Sequence, residues 1–281
     1  MNGAYKDSDL KKLKQLELMI FEDFIEICEN HNIDYYISSG TALGAVRHGG
    51  FIPWDDDIDI AVFRKDYEKL LTILDEELSS KYYVIALEKQ EDCFFPFAKI
   101  CLKNTRFGDW WESQVSFDEG IFIDIFPLDK VPKSRFSRLT YHYRCRLFDH
   151  IVMNSILRID SGSKVMNIFH KSLFFILNKL PISIKYWKKL YHNALTKYED
   201  TDTEYVTCYF AQIVDLFFEK DSYYSKSEFE PPKKVKFEHL MVSAPNDIDS
   251  VLKKSFNNYM ELPPEEERFN HAPEGLDFGD Y

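Results

Sequence analysis

Residues 40–60 have the sequence GTALGAVRHGGFIPWDDDIDI, which ends in alternating acidic and apolar side chains. Such alternation is typical of a β-strand, where neighbouring side chains point to opposite faces. Asp57 and Asp59 would then share one face, while Ile58 and Ile60 enter the core. Two carboxylates about 7 Å apart along a strand repel each other, which destabilises the fold unless a cation lies between them. The pattern therefore predicts a cation site on a buried strand.

A third carboxylate is expected on a neighbouring strand. Residues 120–126, GIFIDIF, place Asp124 on the face opposite Ile123 and Ile125, between two phenylalanines. An unpaired carboxylate is costly in such surroundings, so we predict Asp124 to be the third ligand. Carboxylates of this kind suit Mg²⁺, with Mn²⁺ as the alternative, together with the phosphates of a substrate.

Other acids near these two strands are predicted to be ordinary surface side chains. Asp55 and Asp56 lie in the turn before the first strand, and Asp118 and Asp129 flank the second strand in loop-like contexts. Carboxylates in turns and loops are usually hydrated. We therefore leave all four outside the predicted cation site.

The beginning of the same stretch predicts a contact with an anion. Residues 33–38 form a short β-rich run, and residues 41–48 have the character of a short helix that Gly49 ends. Gly40 and Thr41 thus lie at a strand-to-helix junction, where free backbone N–H groups and the helix dipole favour a phosphate.

Apolar spacing predicts the remaining elements. Helices are expected over residues 8–30, 65–79 and 247–260, strands over 82–88, 96–102, 120–126 and 235–242, and an irregular acidic tail from residue 263. We predict a mixed α/β catalytic core over residues 1–130, a basic helical insertion and linker over 131–232, and a C-terminal segment over 233–281 that returns to the core.

Composition excludes several classes of protein. With 45% hydrophobic and 16% aromatic residues among 281, the chain is not disordered. A net charge of −12 argues against a nucleic-acid partner. The apolar runs are too short to span a membrane and the N-terminus lacks a signal-peptide pattern, so we expect a soluble, cytoplasmic protein. The five cysteines contain no CxxC pair and are predicted to be small buried side chains.

Charge is distributed unevenly along the chain. Residues 130–200 contain 14 Lys or Arg and four acids, a balance of +10, which leaves −22 for the rest. Aromatic residues in this segment are expected to be exposed: Phe136, Phe148, Phe174 and Trp187. Basic and aromatic side chains together suit an anionic membrane surface, such as the inner face of the cell membrane. Two alternatives remain for this basic segment. It could pack against the acidic remainder of the chain, or it could line the entrance to the site for an anionic donor.

These motifs resemble those of a known family. The Gly-Thr turn, the aspartate pair and the third aspartate are similar to the nucleotidyltransferase superfamily. Within it, residues 40–60 resemble the signature of the LicD phosphotransferases, which include the fukutin-related proteins. Residues 120–129 and 237–271 resemble two further family motifs, although Asn257-Asn258 stands where the family often has Gly-Asp. The resemblance implies a nucleotidyltransferase-like mixed sheet with flanking helices and a helical insertion.

The resemblance also implies an activity. LicD-type enzymes transfer a phospho-alcohol, often phosphocholine, from a CDP-activated donor to a hydroxyl of a glycan such as teichoic acid, lipopolysaccharide or a capsule precursor. The family roles carry over to Asp57, Asp59 and Asp124 as metal ligands. Candidate contacts with the donor are Gly40, Thr41, Arg47, His48 and Lys99, and Arg268 and His271 are further candidates from the closing segment. For Arg47 and Lys99 an ion pair with the aspartates is the alternative, and for His48 a structural role.

The identity of the transferred alcohol stays open at this point. Choline would need an aromatic cage for its ammonium, and Trp54, Trp110 and Trp111 lie close in sequence to the aspartate motifs. CDP-choline is therefore the favoured donor, ahead of CDP-ribitol and CDP-glycerol, with a glycan on a lipid carrier as acceptor. A nucleotidyltransferase that adds NMP to a small molecule or sugar, and a non-catalytic binding protein, are the competing interpretations.

Overall fold

The computed structural model describes residues 5–78, 80–160, 162–208, 223–268 and 270–281. In these ranges the helices are α1 (Asp7–His31), α2 (Ser39–His48), α3 (Arg64–Glu77), α4 (Arg135–Ile156), α5 (Lys164–Lys179), α6 (Ile184–Leu195) and α7 (Ile248–Phe256). The strands are β1 (Tyr36–Ile37), β2 (Asp59–Phe63), β3 (Tyr82–Ile85), β4 (Ala98–Leu102), β5 (Arg106–Gly108), β6 (Phe122–Lys130), β7 (Tyr205–Thr207), β8 (Tyr224–Ser225), β9 (Lys233–Phe237), β10 (Leu240–Ala244) and β11 (Gly275–Asp277). The predicted mixed α/β fold is confirmed.

The main sheet is mixed, with strand order β1-β2-β6-β4-β3. Strands β2 and β6 run parallel, while β6 and β4, like β4 and β3, run antiparallel. The short strands β7 and β8 extend the sheet beside the end of β6. The two strands that carry the predicted aspartates are therefore direct neighbours in the middle of the sheet.

Each face of this sheet is covered by its own hydrophobic core. Ile58, Ile123 and Ile125 pack in one core with apolar side chains of α1 and α3. Phe126 and Leu128 point the other way and pack in a second core with side chains of α4 and α6. Alternating side chains of one strand thus enter two different cores, as the isoleucine pattern predicts.

Helix α2 lies close to the turn that leads into β2. Its end is formed by Gly49, whose φ of 74° lies in the left-handed region that glycine adopts freely. A Cβ at Gly44 would collide with the carbonyl oxygen of Gly50. The glycines of this segment therefore allow the C-terminal half of α2 and the following turn to pack backbone against backbone.

The basic segment contains three helices, α4 to α6, as predicted. Of its four aromatic residues predicted to be exposed, Phe136 is exposed, whereas Phe148, Phe174 and Trp187 are half-buried. All five cysteines are free and buried, which confirms the interpretation of these residues as small core side chains. No helix among the described residues is both long and apolar enough to cross a bilayer.

The C-terminal segment differs from the prediction in two places. Residues 235–242 form a hairpin of β9 and β10 instead of one strand, because Glu238 has a φ of 54° and turns the chain back. The tail is not wholly irregular, since β11 pairs with β5. Asn257, which stands where the family often has glycine, has a φ of 56° and a ψ of −112°, a conformation that glycine adopts far more readily than other residues.

Candidate active site

Three charged side chains form a row across the middle of the main sheet. Asp59 on β2 lies in register with Asp124 on β6, and Asp124 lies in register with Lys99 on β4. Residues in register on neighbouring strands point to the same face, so all three side chains project from the face that carries Phe126. All three are buried. The structure thus brings together two of the predicted metal ligands and one predicted donor contact.

The carboxylates of this row are poised to accept positive charge. Burial, and then the charges of Asp57 and Asp124, raise the pKa of Asp59 well above its usual value. Burial and the neighbouring aspartates raise the pKa of Asp57 to about 8. Burial also raises the pKa of Asp124, although Lys99 opposes the shift. Asp57 precedes β2 instead of lying in it, but it remains close enough to the row to repel Asp59.

Lys99 compensates part of this negative charge. Its Nζ lies 2.9 Å from Asp124 Oδ1 and 3.1 Å from Glu119 Oε1, and 3.3 Å from the centroid of the Phe122 ring. Burial alone would lower the pKa of this ammonium, but Asp124 and Glu119 outweigh it and raise the pKa. The alternative proposed for Lys99, an ion pair with an aspartate, is therefore what the structure contains.

Glu119 was not identified from the sequence. It is buried beside Lys99, and burial raises its pKa to about 7 even though Lys99 opposes the shift. A single acidic residue before a strand resembles the exposed Asp118 next to it. The available signal was the position of Glu119 relative to Asp118. Only Gly120 separates Glu119 from the isoleucine-rich run 121–126, whereas Asp118 lies one residue further away.

The start of α2 is fixed to the start of β2. The Thr41 hydroxyl accepts a hydrogen bond of 2.8 Å from the backbone N–H of Asp59, and the backbone N–H of Ser38 donates to the Asp59 carbonyl. A Cβ at Gly40 would lie 2.6 Å from Asp55 Oδ2. Gly40 therefore lies beside the Asp55 side chain and Thr41 beside the backbone of Asp59, and their role near the donor phosphates stays a prediction.

Asp56 is buried, so the prediction that it is a solvated surface acid was wrong. Its carboxylate accepts hydrogen bonds from the Tyr5 hydroxyl at 2.7 Å and from the backbone N–H of His271 at 3.1 Å. The His271 ring also approaches it, and hydrogen bonding to Asp56 raises the pKa of His271 to about 9. The Asp56 carboxylate thus links the turn before β2 to the N-terminal segment and to the C-terminal tail.

Asp129 is the second acid for which the prediction was wrong. It is fully buried, and it accepts hydrogen bonds from Arg64 Nε at 2.6 Å and Nη2 at 2.9 Å. The pair joins the end of β6 to the start of α3. Asp118, in contrast, is exposed as predicted, and Asp55 is only half-buried.

Arg47 and His48 lie at the other end of α2. Arg47 Nη1 donates to the carbonyls of Tyr259 at 3.0 Å and Glu261 at 3.2 Å. The His48 ring packs edge-on against Trp54, over which the Arg268 guanidinium also lies. This end of the helix is thereby attached to the closing segment, which brings Arg268 toward the first motif as the sequence analysis suggested.

The two remaining tryptophans differ in their surroundings. Trp111 is buried and packs against Phe94 and Phe95. Trp110 is 44% exposed. Of this pair, therefore, only Trp110 presents a ring that an external ligand can reach without rearrangement of the core.

The residues present fit a hard divalent cation. Asp57, Asp59 and Asp124 offer oxygen ligands only. Burial is the main reason that the pKa of each is raised, and for Asp57 and Asp59 the neighbouring aspartates add a repulsion that a bound cation would relieve. Within the described ranges, no three His, Cys, Asp or Glu side chains already have the geometry of a formed metal site. The carboxylates would thus have to turn toward the ion, and the ligand set stays a prediction.

Metal-free protein carrying Asp57→Asn is expected to melt at a higher temperature than the wild type at pH 8. A carboxyl with a raised folded-state pKa stabilises the fold below its unfolded pKa near 3.8, and this contribution is lost as pH rises through about 8. One pKa unit corresponds to about 1.4 kcal/mol, or roughly 2–4 °C for a chain of this size. Thermal unfolding in EDTA from pH 4 to 9 measures the effect.

The control for this measurement is Asp118→Asn, which removes an exposed carboxylate from the loop before β6. It should leave the pH profile unchanged. Mg²⁺ should raise the melting temperature of the wild type more than that of Asp57→Asn, because binding to the native state stabilises it. If the melting temperatures of wild type and Asp57→Asn changed with pH in parallel, ionisation of Asp57 would not be a source of the repulsion in the metal-free protein.

Comparisons with known proteins agree with the motifs. Residues 32–166 match the family model described as LicD/FKTN/FKRP, nucleotidyltransferase domain. The lipopolysaccharide cholinephosphotransferase LicD of Haemophilus influenzae is 27% identical over 273 residues, which cover 95% of this chain and 97% of that protein. An uncharacterized protein of Rickettsia prowazekii is 46% identical over 85 residues, 30% of this chain and 31% of that one. Human ribitol 5-phosphate transferase FKRP is 38% identical over 42 residues, 15% of this chain and 8% of that protein. By this match, residues 32–166 of the chain form a LicD-type nucleotidyltransferase domain.

Proposed function

We propose that this protein is a phosphotransferase that moves a phospho-alcohol from a CDP-activated donor to a hydroxyl of a cell-surface glycan. The observation that carries the proposal is the buried row of Asp59, Asp124 and Lys99 beside the first turn of α2. Paired carboxylates, an ammonium and free helix N–H groups together suit a diphosphate and a divalent cation. The names of the cholinephosphotransferase and the ribitol 5-phosphate transferase among its relatives support this reaction class.

In the proposed site, Asp57, Asp59 and Asp124 would hold Mg²⁺. When bound, the ion supplies charge neutralisation for a departing CMP. The Lys99 ammonium, which Asp124 and Glu119 position, would bind a phosphate oxygen of the donor once Asp124 turns toward the ion. A carboxylate of the cluster would accept the proton of the attacking hydroxyl.

The two ends of α2 are proposed to contact different groups. Gly40 and Arg47 are seven residues apart, about 10 Å along a helix, so they cannot hold the same phosphate. Gly40 and Thr41 adjoin the aspartates and would contact the donor diphosphate. Arg47 and His48, which adjoin the closing segment, would contact a more distant part of the donor or the anionic acceptor.

CDP-choline is expected to be the better donor, with slower or no turnover of CDP-ribitol and CDP-glycerol. The Haemophilus influenzae relative, which covers 95% of this chain, is named a cholinephosphotransferase. Trp54 and Trp110 offer aromatic rings for a quaternary ammonium. Release of CMP from each donor, with and without Mg²⁺, measures the preference. Trp110→Ala should raise KM for CDP-choline severalfold if its exposed ring contacts the head group.

The same assay separates the competing functions. Turnover of CDP-ribitol without turnover of CDP-choline would make this protein a polyol-phosphate transferase, the activity named for the human relative that it matches over 42 residues. Release of pyrophosphate from CTP, instead of CMP from a CDP-alcohol, would identify a nucleotidyltransferase. Absence of turnover with every donor and with both Mg²⁺ and Mn²⁺ would favour a binding protein.

A further inference from the structure

Helix α5 exposes an unusual amount of apolar surface. Seven large apolar side chains of this helix and its immediate C-terminus are exposed: Val165, Met166, Ile168, Phe169, Phe175, Ile176 and Leu180. The exposed fraction reaches 76% for Val165 and 66% for Ile168. Most of them recur at intervals of three, four, seven and eleven residues, which places them along one side of a helix. We call these seven side chains the α5 stripe.

The opposite side of α5 is packed against the protein. Leu177 and His170 are buried, and His170 Nδ1 lies 2.8 Å from Asn154 Oδ1 of α4. The Asn178 side chain donates to the Ser155 carbonyl at 3.2 Å. These contacts fix the rotation of α5 about its own axis. The α5 stripe therefore faces away from the folded core because these contacts hold the opposite side of the helix against α4.

The charged side chains of α5 itself are all basic, and the exposed Asp160, which precedes the helix, accepts a hydrogen bond from the Asn167 side chain. Helix α5 contains Lys164, Lys171 and Lys179 and no acid, and all three lysines are exposed. The exposed Arg158 precedes the helix and its guanidinium lies over the Phe174 ring, while Lys179 lies over the Phe175 ring. An exposed apolar stripe bordered by lysines is the pattern of a helix that lies in the headgroup region of a bilayer.

The rest of the chain complements this arrangement. Residues 130–200 carry +10 and the remainder carries −22. An anionic surface therefore attracts the segment 130–200 and repels the rest of the chain. A neutral apolar partner would offer no negative charge to the lysines. A second copy would bring the lysines of two α5 helices close together, where they repel each other. Charge complementarity therefore selects an anionic lipid surface as the occupant.

We propose that the α5 stripe is a docking surface for an anionic membrane, on which α5 lies parallel to the bilayer plane. This refines the membrane contact expected from sequence for residues 130–200 and changes its location. Lys188 of α6, which also lies in this basic segment, is buried and donates to the carbonyls of Gln90 and Glu91. The lipid contacts are assigned to α5 instead.

The test is cosedimentation of the full chain with vesicles. We expect binding to vesicles of phosphatidylcholine and phosphatidylglycerol at low salt, weaker binding at high salt, and none to phosphatidylcholine alone. Ile168→Ser/Phe169→Ser should lower the partition coefficient about tenfold or more. Lys171→Glu/Lys179→Glu should lower it about fivefold or more. Because all four side chains are exposed, the melting temperature of both variants should match the wild type.

Matched controls lie on other faces of the molecule. Met241→Ser removes an exposed apolar side chain of β10, and Lys65→Glu reverses an exposed charge of α3. Both should bind vesicles within about twofold of the wild type. Equal recovery in the supernatant with both vesicle types at low salt would overturn the proposal, and so would α5 variants that bind like the wild type. Dissociation of a dimer by Ile168→Ser/Phe169→Ser, without an effect on vesicle binding, would make a second copy the occupant instead. The vesicles contain no donor or acceptor, so these outcomes are independent of the proposed function.

Discussion

Asp59→Asn is expected to reduce CMP release from the preferred donor at least about 100-fold while the protein stays folded. Asp59 lies in register with Asp124, and its backbone N–H is held by Thr41, so the amide replaces the carboxylate without moving the strand. The loss follows from removing charge at the centre of the row. The measurement is kcat/KM for CMP release in saturating Mg²⁺, together with a thermal unfolding curve.

Three further variants make this result specific. Asp57→Asn and Asp124→Asn should be similarly inactive if all three carboxylates act on one cation. Asp118→Asn, an exposed acid in the loop before β6, should keep full activity. A variant at position 57, 59 or 124 that retains more than about a tenth of the wild-type rate would remove that residue from the proposed ligand set.

The sequence was sufficient to predict which face of their strands Asp59 and Asp124 occupy. Alternation of aspartate with isoleucine over residues 57–60 and 121–125 specifies that the isoleucines enter the core, which leaves Asp59 and Asp124 on the other face. The prediction worked because the strand period is two and the local pattern determines the face. Which strands become neighbours depends on contacts distant in sequence, and that knowledge came here from the resemblance to a family.

The acids that were misjudged share a different cause. Asp56 and Asp129 are buried because partners far along the chain reach them: Tyr5 and His271 in one case, Arg64 in the other. A turn or a strand end gives no local signal of such a partner. The same limit applies to Glu119, whose partner Lys99 becomes its neighbour only when β4 and β6 pair.

Asp129→Asn is expected to destabilise the fold by about 3–5 kcal/mol, the usual cost of leaving one member of a buried ion pair uncompensated. Arg64 and Asp129 are both almost fully buried and joined by two short hydrogen bonds. Burial alone lowers the pKa of Arg64, and Asp129 outweighs it and raises the pKa. The guanidinium stays charged after Asp129 is replaced because arginine is effectively always protonated in proteins. Urea unfolding monitored by tryptophan fluorescence measures the loss.

The exposed pair of Arg106 and Glu112 provides the matched control. It has the same bidentate geometry, but Arg106 is solvent-exposed, so Glu112→Gln should cost only about 0–1 kcal/mol. Arg64→Met/Asp129→Leu should recover most of the stability that Asp129→Asn loses, because it removes both charges together. If Asp129→Asn instead kept wild-type stability and lost activity, Asp129 would belong to the catalytic site. The buried pair would then serve chemistry, not the attachment of α3 to the sheet.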